Sequence, residues 1–597
     1  MFQSFEVTAS PDQGPPRLAR LRQELEAEGL AGFLVPRADA HQGEYVAAHD
    51  ARLSWLTGFT GSAGFCAALR DVAGVFIDGR YRTQVKAQVA LSDFTPVPWP
   101  EVQLADWLIE QLPEGGWIGF DPWLHSVAEI ERTRGALAGS GIEMVRCANL
   151  IDRIWEDQPA PPMFPVKAHP IEFAGETSAS KCARLAEGLR KAGHGAAAIT
   201  LPDSIMWLLN IRGADIPRNP VAHGFAILHD DGRVDLFMAG EKLKDLGDHL
   251  GAGVTVHAPE SFLDALAALH VPVRLDKGTA PQILADVLGD KAVYGEEPCA
   301  LPKARKNAAE IEGAAEAHLR DGAAMAELLC WLDAQAPGTV SEIEVVSKLE
   351  DCRRRDNALQ DISFETIAGT GPNGAIIHYR VTKETDARLE NGHMIVLDSG
   401  GQYLDGTTDI TRTIAIGEVG EEERHCFTLV LQGMIAVSRL RWPRGLAGRD
   451  LEAFGRMPLW LENKDFNHGL GHGVGAYLSV HEGPQRLSRL SEVPFEPGMI
   501  LSNEPGYYRE GAFGIRIENL IVVQEAAPLP GGDPERHMLN WRTLTYVPID
   551  RRLIVVEMLT PAERAWLNEY HAQVAQLIGP RVTGAVRDWL DRATAPL

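Results

Sequence analysis

The stretch His393 to Thr413, HMIVLDSGGQYLDGTTDITRT, constrains the fold more than any other part of the chain. It reads as two strands joined by a turn. Met394 to Leu397 is an apolar run that delivers Asp398, and Gly400-Gly401 and Asp405-Gly406 supply turn residues. The return strand alternates, with Asp409, Thr411 and Thr413 on one face and Ile410, Arg412 and Ile414 on the other. A carboxylate that ends an apolar strand is costly to bury alone. Asp398 and Asp409, eleven residues apart on neighbouring strands, therefore point to a shared cation.

The downstream sequence adds donors of the same kind. His472 sits in Gly469-Leu-Gly-His-Gly-Val-Gly475, where glycines on both sides let the backbone approach a neighbour closely. Glu504 ends the apolar strand that starts at Met499, and Pro505-Gly506 stops it. Glu518 lies in Gly514 to Val523, read as one strand with Arg516 and Glu518 on a common face. Taken singly, each has an ordinary reading: a turn aspartate, a loop histidine, a glutamate ion-paired with Arg516. Taken in order, they describe a duplicated half-structure in which each strand pair brings one acid per strand. Four carboxylates converging would repel one another or take up protons unless cations lie among them. Two divalent ions balance four negative charges. A mostly oxygen donor set with one imidazole suits Mn²⁺ first, with Co²⁺, Fe²⁺ or Zn²⁺ as alternatives.

At 597 residues the chain exceeds one ordinary domain. The pattern predicts α/β and α+β architecture in three parts: an N-terminal α/β domain over 1–157, a second and related α/β domain over 158–305, and a catalytic domain over 306–597 with a helical tail. Residues 1–16 read as a loose extension. Arg17 to Gly29 reads as an amphipathic helix, and Gly32 to Val35 as the strand after it. The proline-rich stretch from Gln158 reads as a linker. Across it, Arg52 to Gly61 resembles Ser204 to Gly213, with Trp55 matching Trp207 and Gly61 matching Gly213 at the same offset of 152. That repeat predicts two related α/β domains in tandem. A long helix is expected from about Ala308 to Ala334, a capping box at Ser341 to Glu344, and a closing helix from Pro561 to Ile578.

Charge narrows the function classes. With 57 basic and 82 acidic residues the net charge is −25, which argues against nonspecific binding to nucleic acid or anionic lipid. Seven scattered cysteines without a CxxC pair predict reduced thiols in a cytoplasmic protein. The N-terminus lacks the pattern of a signal peptide, and no apolar run reaches the roughly 20 residues that span a bilayer.

The set Asp398, Asp409, His472, Glu504, Glu518 resembles that of the dinuclear metallopeptidases with the pita-bread fold. The flanking text is similar to the Xaa-Pro aminopeptidase family: GPNGAIIHY (371–379), LDSGGQYLDGTTDITRT (397–413), HGLGHGVGAYLSVHEGP (468–484) and EPGYYREGAFGIRIEN (504–519). DAHQGEY (39–45), TGFTGSAGF (57–65), FIDGRYRTQ (76–84) and WLLNIRGADIPRNPV (207–221) resemble the two creatinase-N-like domains of the long cytosolic form, so the resemblance covers nearly the whole chain. It implies hydrolysis of the N-terminal Xaa-Pro peptide bond by a metal-bridging hydroxide. One ion would be held by Asp398, Asp409 and Glu518, the other by Asp409, His472, Glu504 and Glu518. Glu504 would shuttle the proton from nucleophile to leaving nitrogen. His378 and His481 would contact the substrate and the tetrahedral intermediate, and Arg80 and Arg516 would bind substrate, Arg516 with the further option of steadying Glu518. His468 is a candidate lining residue of the proline pocket. The expected partners are peptides with proline second and a second copy of the chain in a homodimer. The alternatives are a prolidase-like dipeptidase confined to Xaa-Pro, a metal-free creatinase-type relative, and a catalytically silent pita-bread binding protein.

Overall fold

The structure, a computed structural model, describes residues 1–597, the side chain of Asp356 excepted. The chain separates into two units, Thr8–Ala300 and Met1–Val7 with Leu301–Leu597.

The unit Thr8–Ala300 contains two six-stranded sheets. The first runs, edge to edge, Thr95–Pro98, Ala73–Ile77, Phe65–Leu69, Gly32–Pro36, Gly116–Phe120, Ile142–Arg146. The second runs Val254–His257, Val234–Phe237, Phe225–His229, Ala196–Ile199, Val273–Leu275, Ala292–Tyr294. Strand order and direction are the same in both. The opening strand pairs antiparallel with the next in sequence and parallel with the fifth, and the remaining pairs also match. Trp55 and Trp207 lie on the matching helices Arg52–Thr57 and Pro202–Leu209, so the expected repeat is visible as topology. Gly32–Pro36 is buried along its full length, as a central strand with apolar packing on both faces must be.

The unit Met1–Val7 with Leu301–Leu597 repeats a second pattern. Two helices, Ala308–Asp333 and Glu342–Arg353, precede the antiparallel strands Ile367–Thr370, Met394–Ser399 and Ile410–Ala415. Two more, Glu421–Ser438 and Gly448–Trp460, precede Gly471–Gly473, Ile500–Asn503 and Asn519–Glu525, which pair antiparallel in the same succession. Ser341 and Glu344 close the expected capping box, and the closing helix spans Pro561–Ile578. Ile395, Leu397, Ile410 and Ile414 pack against Met325, Leu328 and Val345 of the first helix pair.

Four expectations are corrected. The stretch His393 to Thr413 is not a simple hairpin: between the long strands, Gly401–Tyr403 pairs with Gly406–Thr407 on one side and with Leu359–Ile362 on the other, in a separate small sheet. Its glycines let the connector leave the main sheet. Gly514 to Val523 is not one strand; Phe513–Arg516 pairs with Gly506–Arg509, Asn519–Glu525 pairs with Ile500–Asn503, and Glu518 falls in the break. The first residues are not loose. Phe5 is buried, the Gln3 amide donates to the Thr366 carbonyl, and the Phe2 N–H donates to Glu350. The helix read from Arg17 begins at Gly14.

The cysteines are all free thiols. Among the described residues no helix is long and apolar enough to cross a membrane.

Candidate metal centre

The two strand pairs of the C-terminal unit place their acids at corresponding ends. Asp398 lies opposite Thr411, and Asp409 immediately precedes Ile410. Asn503 pairs with Asn519, and Glu504 and Glu518 flank that closing pair. The Glu518 N–H donates to the Thr411 carbonyl at 3.2 Å, which joins one strand pair to the other. Asp398, Asp409 and Glu518 are buried, while His472 and Glu504 are half-buried.

His472 stands between the acids, its Nε2 3.5 Å from Asp409 Oδ2 and 3.6 Å from Glu504 Oε1. Its Nδ1 lies 2.9 Å from the Gly473 carbonyl, which fixes the proton there and leaves the Nε2 lone pair directed at the carboxylates. The flanking glycines are required by space: a Cβ at Gly471 would run into the Ser502 carbonyl, and one at Gly473 into the Glu482 carbonyl.

The electrostatics of the cluster call for a cation. Burial, followed by the nearby charges of Asp398 and Glu504, pushes the Asp409 carboxyl well above the ordinary carboxylate range. Burial and the charges of Asp409, Glu504 and Asp398 do the same to Glu518. Oδ1 of Asp398 and Oε1 of Glu518 are buried without a hydrogen bond. Ligand atoms of Asp409, His472 and Glu518 all lie within 4.8 Å of one another. Orphaned carboxylate oxygens beside an oriented imidazole fit divalent ions of the Mn²⁺–Zn²⁺ type.

Arg516 corrects the expected ion pair. Its partner is Asp398, with Nη2 at 2.6 Å and Nε at 3.2 Å from Oδ2, not Glu518. Because the chain breaks between the two strands at Glu518, residues two apart do not share a strand face there. Nη1 donates to the Tyr508 hydroxyl at 2.6 Å and to the Ile377 carbonyl at 3.3 Å. Burial alone would lower the Arg516 pKa, but Tyr508, Asp398 and Glu504 raise it well above the usual value.

The other candidates are placed as follows. The His481 ring lies 4.3 Å from that of His472, edge to face. His378 follows Ile377, whose carbonyl Arg516 holds. Nε2 of His468 is 3.0 Å from the Tyr508 hydroxyl. Arg80 belongs to the other unit, where its guanidinium pairs with Asp78 at 2.7 Å.

Four contributors escape a reading by motif. Tyr508, a half-buried phenol whose pKa is pushed up to about 12 by desolvation, links Arg516 to His468. Thr411 donates its hydroxyl to Glu518 Oε2 at 2.8 Å, and Ser502 donates to Glu504 Oε1 at 3.2 Å. Beside His481, Glu482 is buried between Lys303, at 2.8 Å, and Lys306. Tyr508 carried a sequence signal as part of the aromatic pair after Glu504-Pro-Gly, and Thr411 as a residue on the Asp409 face of its strand.

The model of metallopeptidase family M24 matches residues 312–525, and the model of that family's C-terminal region matches 537–597. Models of the creatinase/prolidase N-terminal domain match 17–154 and 157–310. Aminopeptidase P2 of Arabidopsis thaliana is 37% identical over 95% of this chain and 86% of its own length. A probable Xaa-Pro aminopeptidase P of Talaromyces marneffei is 38% identical over 97% and 92% respectively. Among solved structures, an X-prolyl aminopeptidase of Caenorhabditis elegans, described as a cytosolic enzyme with a di-nuclear active site, superposes with a TM-score of 0.93 at 32% identity over 98% of this chain and 99% of that one. Identity on this scale runs through the doubled N-terminal region as well as the acid-bearing strands, and the chain therefore belongs to the Xaa-Pro aminopeptidase family of the M24 metallopeptidases.

Proposed function

We propose that this chain is a two-metal aminopeptidase that removes the first residue from peptides with proline in second position. The observation that carries the reading is the cluster itself: four acids and one oriented imidazole, with buried carboxylate oxygens left without hydrogen bonds. Asp398, Asp409 and Glu518 would hold one ion, and Asp409, His472, Glu504 and Glu518 the other. When bound, such ions supply Lewis acidity and bring the pKa of a bound water toward about 7. Mn²⁺ is the proposed metal.

The chain's own groups do the remaining work. Glu504 is half-buried and tied to Ser502, so it can take a proton from the attacking water and pass it to the proline nitrogen. That nitrogen needs the proton because it leaves as a neutral amine, an amide anion being too poor a leaving group. His481, packed on His472, and His378 would bind the substrate carbonyl and the developing oxyanion. Arg516 is a positioning residue for Asp398, since its donors are taken up within the protein. Arg80 and His468 are assigned to peptide binding on the family resemblance.

Support of a coarser kind bears on the rest. The family models at 17–154 and 157–310 support domains at 1–157, 158–305 and 306–597. Phe454, Met457, Trp460 and Leu461 lie exposed on one side of the helix Gly448–Trp460, an apolar stripe that supports a homodimer. Free thiols support a cytoplasmic location, and the net charge of −25 speaks against a nucleic-acid partner.

The deciding experiment incubates the Mn²⁺-loaded chain with Arg-Pro-Pro and with the dipeptide Arg-Pro. Release of free arginine from the tripeptide is expected. Cleavage of the dipeptide alone would move the assignment to a dipeptidase.

A further inference from the structure

The unit Thr8–Ala300 holds a second group of metal-type donors, distant in sequence from the acid-bearing strands. Asp39 follows the strand Gly32–Pro36, Asp50 precedes the helix Arg52–Thr57, and His223 precedes the strand Phe225–His229. One donor atom from each lies within 4.8 Å of the others. Asp39 is 1% exposed. Its Oδ1 accepts the N–H groups of His41 at 2.9 Å and Gly43 at 3.2 Å. Its Oδ2 is buried without a hydrogen bond, and so is Nε2 of His223. These two atoms face each other at 3.3 Å.

That separation is the informative quantity. Histidine–carboxylate pairs elsewhere in the chain close to hydrogen-bond length: His229–Asp235 at 2.7 Å, His425–Glu462 at 2.8 Å and His125–Glu129 at 2.9 Å. The Asp39–His223 pair stays open, as do the His472 contacts at 3.5 and 3.6 Å. Two donors that each lie about 2.1 Å from one tetrahedral ion stand about 3.4 Å apart. The spacing is that of two ligands with room for an ion between them.

The surroundings hold the three groups in place. Arg52 donates to Asp50 Oδ1 at 2.9 Å and is itself clamped on Asp152 at 2.7 Å. The His223 N–H donates to Asp215 Oδ2 at 2.7 Å, and Lys242 pairs with the same oxygen at 2.6 Å. The His41 ring lies 4.7 Å from that of His223 and 4.6 Å from that of Phe225. Two carboxylates and one imidazole make a donor set of the kind that holds a divalent ion.

We propose that Asp39, Asp50 and His223 bind one Zn²⁺-type divalent cation, separate from the C-terminal centre, which cross-links the two α/β sheets of this unit. Such an ion has a structural role: its binding free energy becomes folding free energy of the unit. It does not depend on the peptidase reading, because it is tested by comparing chains that share an intact C-terminal centre.

The experiment equilibrates the full-length chain with Zn²⁺, removes free metal by desalting, and counts ions per chain by mass spectrometry. Wild type is compared with His223→Gln and with Asp39→Asn, folding being checked by circular dichroism. The expected result is about three ions per wild-type chain and about two in each variant. Equal counts in wild type and variants would overturn the proposal and leave His223 as an ion-pair partner of Asp39. Should neither variant fold, Asp50→Asn takes their place, and a count equal to that of wild type overturns it.

Discussion

Arg516 Nη2 lies 2.6 Å from Asp398 Oδ2, so one buried acid of the cluster is already paired with a protein cation. Both side chains are buried, and the guanidinium fork also holds Tyr508 and the Ile377 carbonyl. Removing one partner of a buried pair leaves an uncompensated charge, at about 3–5 kcal/mol. Arg516→Leu is expected to lose about that much stability in the metal-depleted chain, and less once ions neutralise Asp398. Arg516→Lys retains the charge but not the fork, and should fall between. Urea unfolding with and without Mn²⁺ measures both; an equal loss in the two states would contradict the positioning role.

Asp409 is buried beside the charges of Asp398 and Glu504, and it is assigned to both ions. Asp409→Ala should fold, lose at least one tightly held divalent ion, and lower kcat by about 10³-fold or more, the scale attached to an electrostatic element of this kind. Metal analysis and steady-state kinetics on one preparation test it. Retention of both ions would refute the bridging assignment.

Chelation should abolish activity reversibly, with Mn²⁺ restoring it. An ion that binds only the folded chain stabilises it by about 2.7 kcal/mol when its free concentration is one hundred times its Kd. The thermal midpoint of the chelated chain should therefore lie below that of the loaded one, and rise with added Mn²⁺ in a dose-dependent way.

His571 gives a pH dependence unrelated to catalysis. Its ring is buried, its Nε2 accepts the Ile549 N–H at 3.1 Å, and burial, aided by Arg412 and Arg551, pushes its pKa down to about 3. The unfolded chain takes up this proton near pH 6.5, so between about pH 6.5 and 3 it binds one proton more than the folded chain does. Stability must fall as pH drops through that window, by about 1.4 kcal/mol per pH unit from this residue. His571→Gln should flatten the slope by that amount in denaturant titrations between pH 6.5 and 5.

The exposed stripe on the helix Gly448–Trp460 predicts where the dimer is made. Met457→Asp together with Trp460→Asp should convert the species seen in sedimentation to one near the chain mass of 65.2 kDa, with little change in folding. A wild type already at that mass would exclude the dimer.

What the sequence disclosed follows from how each contact is made. Asp398 and Glu504 are announced by the apolar runs that carry them, and His472 by the glycines its backbone requires. The doubled α/β topology showed through Trp55 and Trp207 because both sit on the helix that follows the opening strand's half of the unit. The Arg516–Asp398 pair was not readable, because strand periodicity assumes an unbroken strand and this one stops before Glu518. Thr411 and the Lys303–Glu482–Lys306 group act across large sequence separations, which no local pattern records. Residues 1–7 have too few apolar positions to show a period, yet Gln3 docks by a reciprocal pair of hydrogen bonds with Thr366 and Phe5 by burial in the core.

The paired succession of strands in the C-terminal unit extends to its histidines: His378 lies eight residues past Thr370, and His481 eight residues past Gly473. Each half thus carries two acids and one such histidine, and neither half holds a complete set. During synthesis on the ribosome, Asp398 and Asp409 emerge long before Glu504 and Glu518. A nascent polypeptide that stops short of Glu504 and Glu518 therefore carries only half of the donor set.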